Sequence, residues 1–245
     1  MTLGIVAEIL RLFPDERGFA ISVVGSGGKT TLMRLLSECL TGLVVCTTST
    51  KLAESEAKLF DAHITWEEED QLPPRLPPSG GSVLVTGESF QVNQARKLNG
   101  LTDSQLTALK QICDQRGLPL IIEANGSKRR PLKAPAVYEP VIPDFSDLVI
   151  VVVGLARFMK PLNEENVFRS QIFSELTGLP MNMLVDLESI LRYLKHPSGG
   201  LKGIPPTAKC FVMFNLFDCD CLTLIDREVI EKTLGDFYDS VVWIG

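Results

Sequence analysis

The chain of 245 residues carries a formal net charge of −6, and its hydrophobic residues make up 45% of the sequence. This length suits one large α/β domain or two small ones, and the negative charge argues against a protein that coats nucleic acid. No apolar run approaches the roughly 18 residues of a membrane span, and residues 1–14 lack the features of a signal peptide. We therefore expect a cytoplasmic protein that binds neither nucleic acid nor membrane.

Apolar runs along the chain predict β-strands, and helix-length amphipathic segments separate most of them. The runs are 19–25, 43–48, 82–87, 118–124, 147–154, 209–215 and 241–245. Near-continuous Val, Ile and Leu are typical of parallel strands that are buried on both faces. The pattern predicts one α/β domain over 1–245 with a doubly wound, mostly parallel sheet. Surface excursions are expected near 67–81 and 196–209, which are rich in proline and glycine.

The two clearest helices carry predicted end signals. The helix in 30–42 has leucines at helical spacing, and Gly42 stands where a C-terminal cap belongs. In the later helix, Thr102 is positioned to cap the first turn and Gly117 to end the last one.

The segment VVGSGGKTT (23–31) is typical of a phosphate-binding loop at a strand-to-helix junction. Its spacing, G-x-x-G-K-T, is shorter than the usual G-x-x-x-x-G-K-[ST], and the alternative is a glycine-rich turn that caps a helix. Glycines allow the turn and the close approach of a phosphate, Lys29 would reach the β- and γ-phosphates, and Thr30 would bind Mg²⁺. The predicted nucleotide contacts are Gly25, Ser26, Gly27, Gly28, Lys29, Thr30 and Thr31.

A second motif begins at Glu123, where the strand in 118–124 ends. A carboxylate there could hold Mg²⁺ beside the loop, so Lys29 and Glu123 are candidate catalytic residues. The loop that follows is basic, and it is predicted to bind an anionic second substrate or the nucleotide's phosphates. The residues are Ser127, Lys128, Arg129, Arg130 and Lys133. A solvated basic loop and an ordinary surface carboxylate are the alternatives.

Two further strand ends carry polar side chains. In CTTSTK (46–51), Thr48 could complete the Mg²⁺ shell and Lys51 could contact phosphate or an acidic substrate, although threonine is also common at strand ends. In FNLFD (214–218), Asn215 and Asp218 match the guanine-reading pattern Asn-Lys-x-Asp, with Leu216 in place of the lysine. A local turn would explain that motif equally well, so the choice between ATP and GTP stays open.

These motifs, with EANGSKRRPLKAPAVYEPVIP (123–143) and KPLNEENVFRSQIFSELTGLP (160–180), resemble the YqeC family. Members of that family are described as selenium-dependent hydroxylase accessory proteins, or selenium cofactor biosynthesis proteins. The resemblance implies a fold of the P-loop NTPase type, a bacterial cytosolic location and a role in the maturation of selenium-containing molybdenum hydroxylases. It also adds Arg169 as a candidate catalytic residue.

The chain departs from the family pattern at three positions. Asn125 replaces an aspartate, Phe168 replaces a histidine, and Leu216 replaces the lysine of the guanine-reading pattern. The intact loop and Glu123 favour a Mg²⁺-dependent NTPase or NTP-dependent transferase that uses ATP or GTP. The three replacements favour the alternative, a nucleotide-binding accessory or switch module with little turnover. Its partner would be a hydroxylase or a cofactor-handling protein.

Overall fold

The computed structural model of the protein describes residues 2–13, 18–67, 73–126, 130–156, 158–216 and 224–244. Helices and strands alternate along most of the chain. In order they are α1 (Thr2–Leu12), β1 (Ala20–Ser26), α2 (Lys29–Cys39), β2 (Leu43–Thr48), β3 (Leu52–Ala53), a 3₁₀ helix η1 (Glu54–Leu59), β4 (Ala62–Thr65), β5 (Gly81–Thr86), β6 (Ser89–Val92), β7 (Ala95–Leu98), α3 (Asp103–Arg116), β8 (Leu120–Glu123), β9 (Leu132–Lys133), β10 (Leu148–Gly154), β11 (Val167–Phe168), α4 (Ser170–Thr177), α5 (Leu187–Lys195), β12 (Lys209–Asn215), α6 (Leu224–Leu234) and β13 (Ser240–Ile244).

The centre of the fold is an eight-stranded sheet with the order β13-β12-β10-β1-β8-β2-β5-β4. All of its strand pairs are parallel. The seven predicted strands are all present, and their ends differ from the prediction by two residues at most. The strand β4 was missed because it is a short edge strand whose residues are only half-buried or exposed, so it lacks a continuous apolar run.

Helices cover both faces of this sheet. On one face, Leu32 and Leu36 of α2 share a buried cluster with Ile21 and Val23 of β1 and with residues of α1. On the other face, α3 packs against the β2 and β5 side of the sheet, while α4, α5 and α6 pack against β10 and β12. This arrangement confirms the predicted α/β class with a mostly parallel central sheet.

The predicted ends of α3 are confirmed, whereas the predicted end of α2 is wrong. Thr102 and Gln105 form a capping box at the start of α3, and Gly117 ends that helix in the left-handed conformation with φ of 64°. The prediction for Gly42 was wrong, because α2 ends at Cys39 with extended Leu40 as its cap. The buried side chain of Leu40 joins the core beside α2, and Gly42 serves instead in the turn to β2, with φ of 79°.

Two small sheets lie outside the central one. An antiparallel sheet with the order β3-β7-β6 is built from the segments that follow β2 and β5, and the short strands β9 and β11 pair in parallel. Within the predicted excursions, 73–80 and 196–208 contain no helix or strand. None of the helices in the described ranges has the length and apolarity needed to cross a bilayer.

Candidate functional site

The carboxyl ends of the central strands bring several predicted residues to one edge of the sheet. Strand β1 lies between β8 and β10. Strands β2, β4, β5 and β8 lie on one side of it, and the later strands β10, β12 and β13 lie on the other. In open parallel sheets the crevice outside the carboxyl ends, at such a switch point, is where ligands bind. Lys29, Thr48, Glu123 and Asn215 all lie at or directly after the carboxyl ends of these strands.

The segment that joins the end of β1 to α2 has a backbone that requires glycine. Gly25, Gly27 and Gly28 have φ of 85°, 81° and 133°. A Cβ on Gly27 would lie 2.5 Å from Gly154 Cα and 2.6 Å from the Pro131 carbonyl oxygen, so neighbouring backbone leaves no room for a side chain. Ser26 Oγ donates to that same carbonyl at 3.1 Å. The glycine loop (25–28) is therefore held closely between its neighbours in a shape that other residues would strain.

Lys29 is the first residue of α2, and its side chain folds back over the glycine loop. Its Nζ donates to the Gly25 carbonyl at 3.2 Å and lies 3.4 Å from Glu123 Oε1. The side chains of Lys29 and Glu123 are only 4% and 8% exposed. The structure thus joins two of the three predicted catalytic residues in a buried ion pair.

Thr30 lies between two carboxylates. Its Oγ1 is 3.4 Å from Glu123 Oε2 and 3.4 Å from Glu56 Oε2. We refer to Thr30, Glu56 and Glu123 as the oxygen cluster. Glu56 belongs to η1 and was missed from the sequence, because ESEAKL resembles any charged surface turn. Its only sequence signal is its position shortly after the CTTSTK strand end.

A cation site at this edge of the sheet would depend on oxygen ligands. Within the described part of the chain, no group of three or more His, Cys, Asp or Glu side chains is placed to hold a metal. The oxygen cluster instead combines a hydroxyl with two carboxylates. Hydroxyl and carboxylate oxygens suit a hard cation such as Mg²⁺, which commonly takes one or two carboxylates along with phosphate oxygens and waters.

Thr48 and Lys51 are placed by the end of β2. Thr48 Oγ1 lies 3.1 Å from the Glu123 carbonyl oxygen and 3.0 Å from that of Thr50, so its hydroxyl connects the ends of β2 and β8. Exposed Lys51 places its Nζ 4.8 Å from the ring centroid of Phe90 on the small β3-β7-β6 sheet. The metal role of Thr48 and the substrate role of Lys51 stay predictions.

The basic loop after β8 is only partly described. Ser127, Lys128 and Arg129 lie outside the described residues, so their substrate role stays a prediction. Exposed Arg130 donates from Nε to the Glu164 carbonyl at 3.0 Å.

Lys133 and Arg169 meet at Glu139, which is mostly buried. The Lys133 side chain is 1% exposed, and its Nζ lies 2.5 Å from Glu139 Oε2 and donates to the Gly126 carbonyl. Arg169 donates to both oxygens of Glu139, at 2.7 and 3.0 Å, and its guanidinium stacks 4.4 Å from the ring centroid of Phe168. We call Lys133, Glu139 and Arg169 the ion cluster. The predicted substrate role of Lys133 and catalytic role of Arg169 stay predictions.

Burial and charge shift the pKa values in the ion cluster. Burial lowers the pKa of Lys133 to about 8, although the hydrogen bond and charge of Glu139 oppose that change. Burial would raise the pKa of Glu139, but hydrogen bonds from Arg169 and Lys133 outweigh it and hold the pKa below its usual value. The charge of Lys29 also lowers the Lys133 pKa, so the ion cluster is electrostatically coupled to the residue that follows the glycine loop.

The two asparagines singled out from the sequence have different surroundings. Asn215 Nδ2 donates to the Gly27 carbonyl at 2.7 Å, so this predicted base-reading residue also holds the glycine loop. Asp218 lies outside the described residues. Asn125 is 3% exposed, and its Oδ1 has no hydrogen-bond partner among the described residues.

Comparison with known proteins identifies the family. The model of a family described as "YqeC protein" matches residues 21–171. This chain belongs to the YqeC family. It is similar to the "Uncharacterized protein YqeC" of Escherichia coli (strain K12), with 30% identity over 247 residues, which cover 98% of this chain and 91% of that relative. No solved structure matches the chain. The YqeC match contains the glycine loop, the oxygen cluster and the ion cluster, whereas Asn215 and Asp218 follow it in the chain.

Proposed function

We propose that this protein binds a nucleoside triphosphate with Mg²⁺ on the glycine loop and acts as an NTPase or NTP-dependent transferase of the P-loop type. One observation carries the proposal. Lys29 and Thr30, which directly follow the glycine loop, both contact Glu123 at the end of the neighbouring strand β8. These contacts support the proposal, because phosphoryl transfer of the P-loop type needs a lysine for the phosphates and a hydroxyl and a carboxylate for Mg²⁺ close together.

Each group in the site has a definable task. Backbone N–H groups of the loop and the positive end of α2 favour bound phosphates. When bound, Mg²⁺ would neutralise charge on the phosphate oxygens, and Thr30 and Glu123 would hold it. Lys29 would exchange the Glu123 carboxylate for a phosphate oxygen and stabilise the charge that develops on the transferred group.

The cellular role that we propose for the protein follows from its resemblance to the YqeC family. We place the protein in the maturation of selenium-dependent molybdenum hydroxylases in the bacterial cytosol, with an anionic small molecule or a hydroxylase as its second partner. Exposed Lys51 and Arg130 supply cations for such an anion near the carboxyl edge of the sheet. Positive side chains beside a phosphate site favour anionic partners.

The ion cluster favours a second candidate function, an accessory or switch module with little turnover. Arg169 and Lys133, two cations expected to serve chemistry or substrate binding, are both bound to Glu139. A nucleotide could then change the conformation of the loop after β8 without being hydrolysed quickly. This candidate shares the nucleotide site and differs only in turnover.

Binding of fluorescent ATP and GTP analogues with Mg²⁺, followed by phosphate release, tests both candidates. Lys29→Ala is expected to weaken binding by about ten- to a hundredfold, because a charge-assisted contact to phosphate contributes about 1.5–3 kcal/mol. The control is Lys209→Ala, at the amino end of β12, which removes an exposed ion pair with Asp239 and is expected to change binding less than twofold.

The outcomes separate the two functions. Binding with phosphate release supports the enzyme. Binding without release, alone or with a hydroxylase added, supports the switch module. Failure to bind either nucleotide would overturn both.

A further inference from the structure

A small cavity beside the glycine loop has no role in the proposed function. Its volume is about 10 Å³, which is room for one water-sized group. The cavity lies between strands β1 and β10, the chain shortly after β8, helix α5 and two loop segments. We call it the Asn125 cavity, and its wall includes Gly25, Asn125, Pro140, Val151, Tyr193 and Lys202.

Asn125 brings an unsatisfied hydrogen-bond acceptor to this cavity. The residue is 3% exposed, and its Oδ1 has no hydrogen-bond partner among the described residues. Burying an acceptor without a donor costs free energy, so buried side-chain oxygen atoms in native proteins nearly always have a partner. A group that donates a hydrogen bond to Asn125 Oδ1 would therefore be held in the cavity.

Tyr193 and Lys202 bring two further hydrogen-bonding groups. Buried Tyr193 of α5 forms no side-chain hydrogen bond within the described part of the chain. Lys202 donates to the carbonyl oxygens of Ala136 and Val137, which uses two of the three hydrogens of its ammonium group. The cavity wall thus combines an unpaired acceptor, an unpaired hydroxyl and an ammonium group with one unused hydrogen.

These three groups select the chemistry of the ligand. We infer that the Asn125 cavity is a subsite for one hydroxyl group of the second substrate, and as such it rests on the proposed function. A hydroxyl donates its hydrogen to Asn125 Oδ1 and accepts from Lys202 or Tyr193. A carboxylate can only accept, and it would leave Asn125 unpaired. An ammonium group can only donate, and the charge of Lys202 would repel it.

The surroundings of the cavity favour a single neutral group. Val151 and Pro140 make part of the wall apolar, and hydrogen bonds are stronger where bulk water is excluded. Burial raises the pKa of Tyr193, and the charge of Glu139 adds to this, so its hydroxyl keeps its hydrogen at neutral pH. Pro140 and Lys202 are half-buried whereas the other lining residues are buried, so the hydroxyl would enter beside these two.

The position of the cavity connects it to the glycine loop. Gly25 belongs to both, and its carbonyl oxygen accepts the hydrogen bond from Lys29 Nζ at 3.2 Å. A substrate held through a hydroxyl at Asn125 would therefore lie beside the proposed phosphate site. That is where a transferase needs its second substrate, because the reacting groups have to be held close together.

A purely structural role of Asn125 predicts a different result. In that case one water molecule completes the hydrogen bonds of the wall, as buried waters commonly do. Water has the same hydrogen-bonding chemistry as a hydroxyl group, but a small alcohol would then not displace it. Exchange of water for an alcohol therefore distinguishes a ligand subsite from a structural water site.

The test titrates isotope-labelled, nucleotide-free protein with methanol, ammonium chloride and sodium formate. The backbone amide signals of Gly25 and Gly200, which both line the cavity, are followed by NMR. Methanol is expected to shift both signals in a saturable way, whereas ammonium and formate are not. Asn125→Leu is expected to abolish the methanol response, and Tyr193→Phe to weaken methanol binding by about fivefold, since it removes one neutral hydrogen bond.

A matched control and a crystal structure complete the test. Asn166 is also a buried asparagine, at 5% exposed, but its Nδ2 donates to the Pro161 carbonyl at 2.9 Å. Asn166→Leu is therefore expected to change methanol binding less than about twofold. A crystal soaked in methanol is expected to hold the methanol oxygen within about 3.0 Å of Asn125 Oδ1.

Each result decides the inference. The absence of a methanol response in the wild type overturns it, as does an equal response in Asn125→Leu or a soaked crystal that holds only water at Asn125 Oδ1. Stronger binding of ammonium or formate than of methanol also overturns it. If Asn125→Leu fails to fold, Tyr193→Phe replaces it, and this variant must bind methanol less tightly than wild type. If the wild type binds no nucleotide, the proposed function fails, and the nucleotide-free titration still decides whether the cavity binds a hydroxyl group.

Discussion

Replacing Glu139 by glutamine is expected to destabilise the protein by about 3 kcal/mol at pH 7, because the change leaves buried Lys133 without its counter-ion. The Lys133 side chain is 1% exposed, and the Glu139 carboxylate lies 2.5 Å from its Nζ. Arg169 loses its bidentate partner in the same change. The amide of glutamine retains a hydrogen-bond acceptor but no charge.

The pKa of Lys133 gives this prediction a pH dependence. Burial lowers it from 10.5 to about 8 in the folded protein. Since the unfolded chain then binds more protons, the Lys133 contribution to stability rises with pH between about 8 and 10.5. Loss of Glu139 lowers the pKa of Lys133 in the folded protein further. Each unit by which this pKa falls lowers the stability of the form with charged Lys133 by about 1.4 kcal/mol. That part of the deficit is present below pH 8 and disappears as pH rises above it, because Lys133 is then neutral in both folded proteins.

Urea denaturation followed by circular dichroism at pH 7 and pH 9 measures both effects. The control is Glu188→Gln, which removes an exposed i,i+4 ion pair with Arg192 and is expected to change stability by less than about 0.5 kcal/mol. A Glu139→Gln protein as stable as this control at pH 7 would refute the reasoning. So would a deficit of equal size at both pH values.

Two other predictions follow from backbone geometry and burial. Gly27→Ala is expected to cost more than about 2 kcal/mol and to abolish nucleotide binding, because its Cβ would meet backbone atoms at 2.5–2.6 Å. Gly42→Ala, with a similar φ of 79° and no atom within 4 Å of its Cβ, is expected to cost only about 1 kcal/mol, and equal losses in urea denaturation would contradict this account. Iodoacetamide at pH 8 is expected to modify exposed Cys39 but not Cys113 or Cys210, whose pKa values burial raises to about 12. Mass spectrometry of the labelled peptides checks this, and rapid labelling of Cys113 in folded protein would count against the described packing.

Local sequence features were sufficient to predict seven of the eight strands of the central sheet. The seven apolar runs form strands because their Val, Ile and Leu side chains are buried on both faces of the sheet, between two layers of helices. Thr102 and Gly117 were correctly predicted as the ends of α3, since capping depends on neighbouring residues only. The prediction that Gly42 caps α2 was wrong, because the helix ends at Cys39 and the extended Leu40 buries its side chain in the core.

The candidate site could be predicted only where it is local in sequence. The glycine loop, Lys29 and Thr30 are contiguous, and Glu123 is recognisable as a carboxylate at a strand end. Asn215 was expected to read a base, but its hydrogen bond to Gly27 depends on the packing of β12 beside β10. No local pattern reveals contacts between residues this far apart in the chain.

The sequence by itself determined the α/β class, seven strands of the central sheet and the glycine loop, because each depends on residue type and short-range spacing. Only the tertiary structure decided which charges meet. It brought Glu56 of η1 to Thr30, and it turned Lys133 and Arg169 inward to Glu139. Ionic contacts follow from how distant segments fold together, since a charged side chain has the same local sequence signal whether it faces water, a ligand or a buried partner.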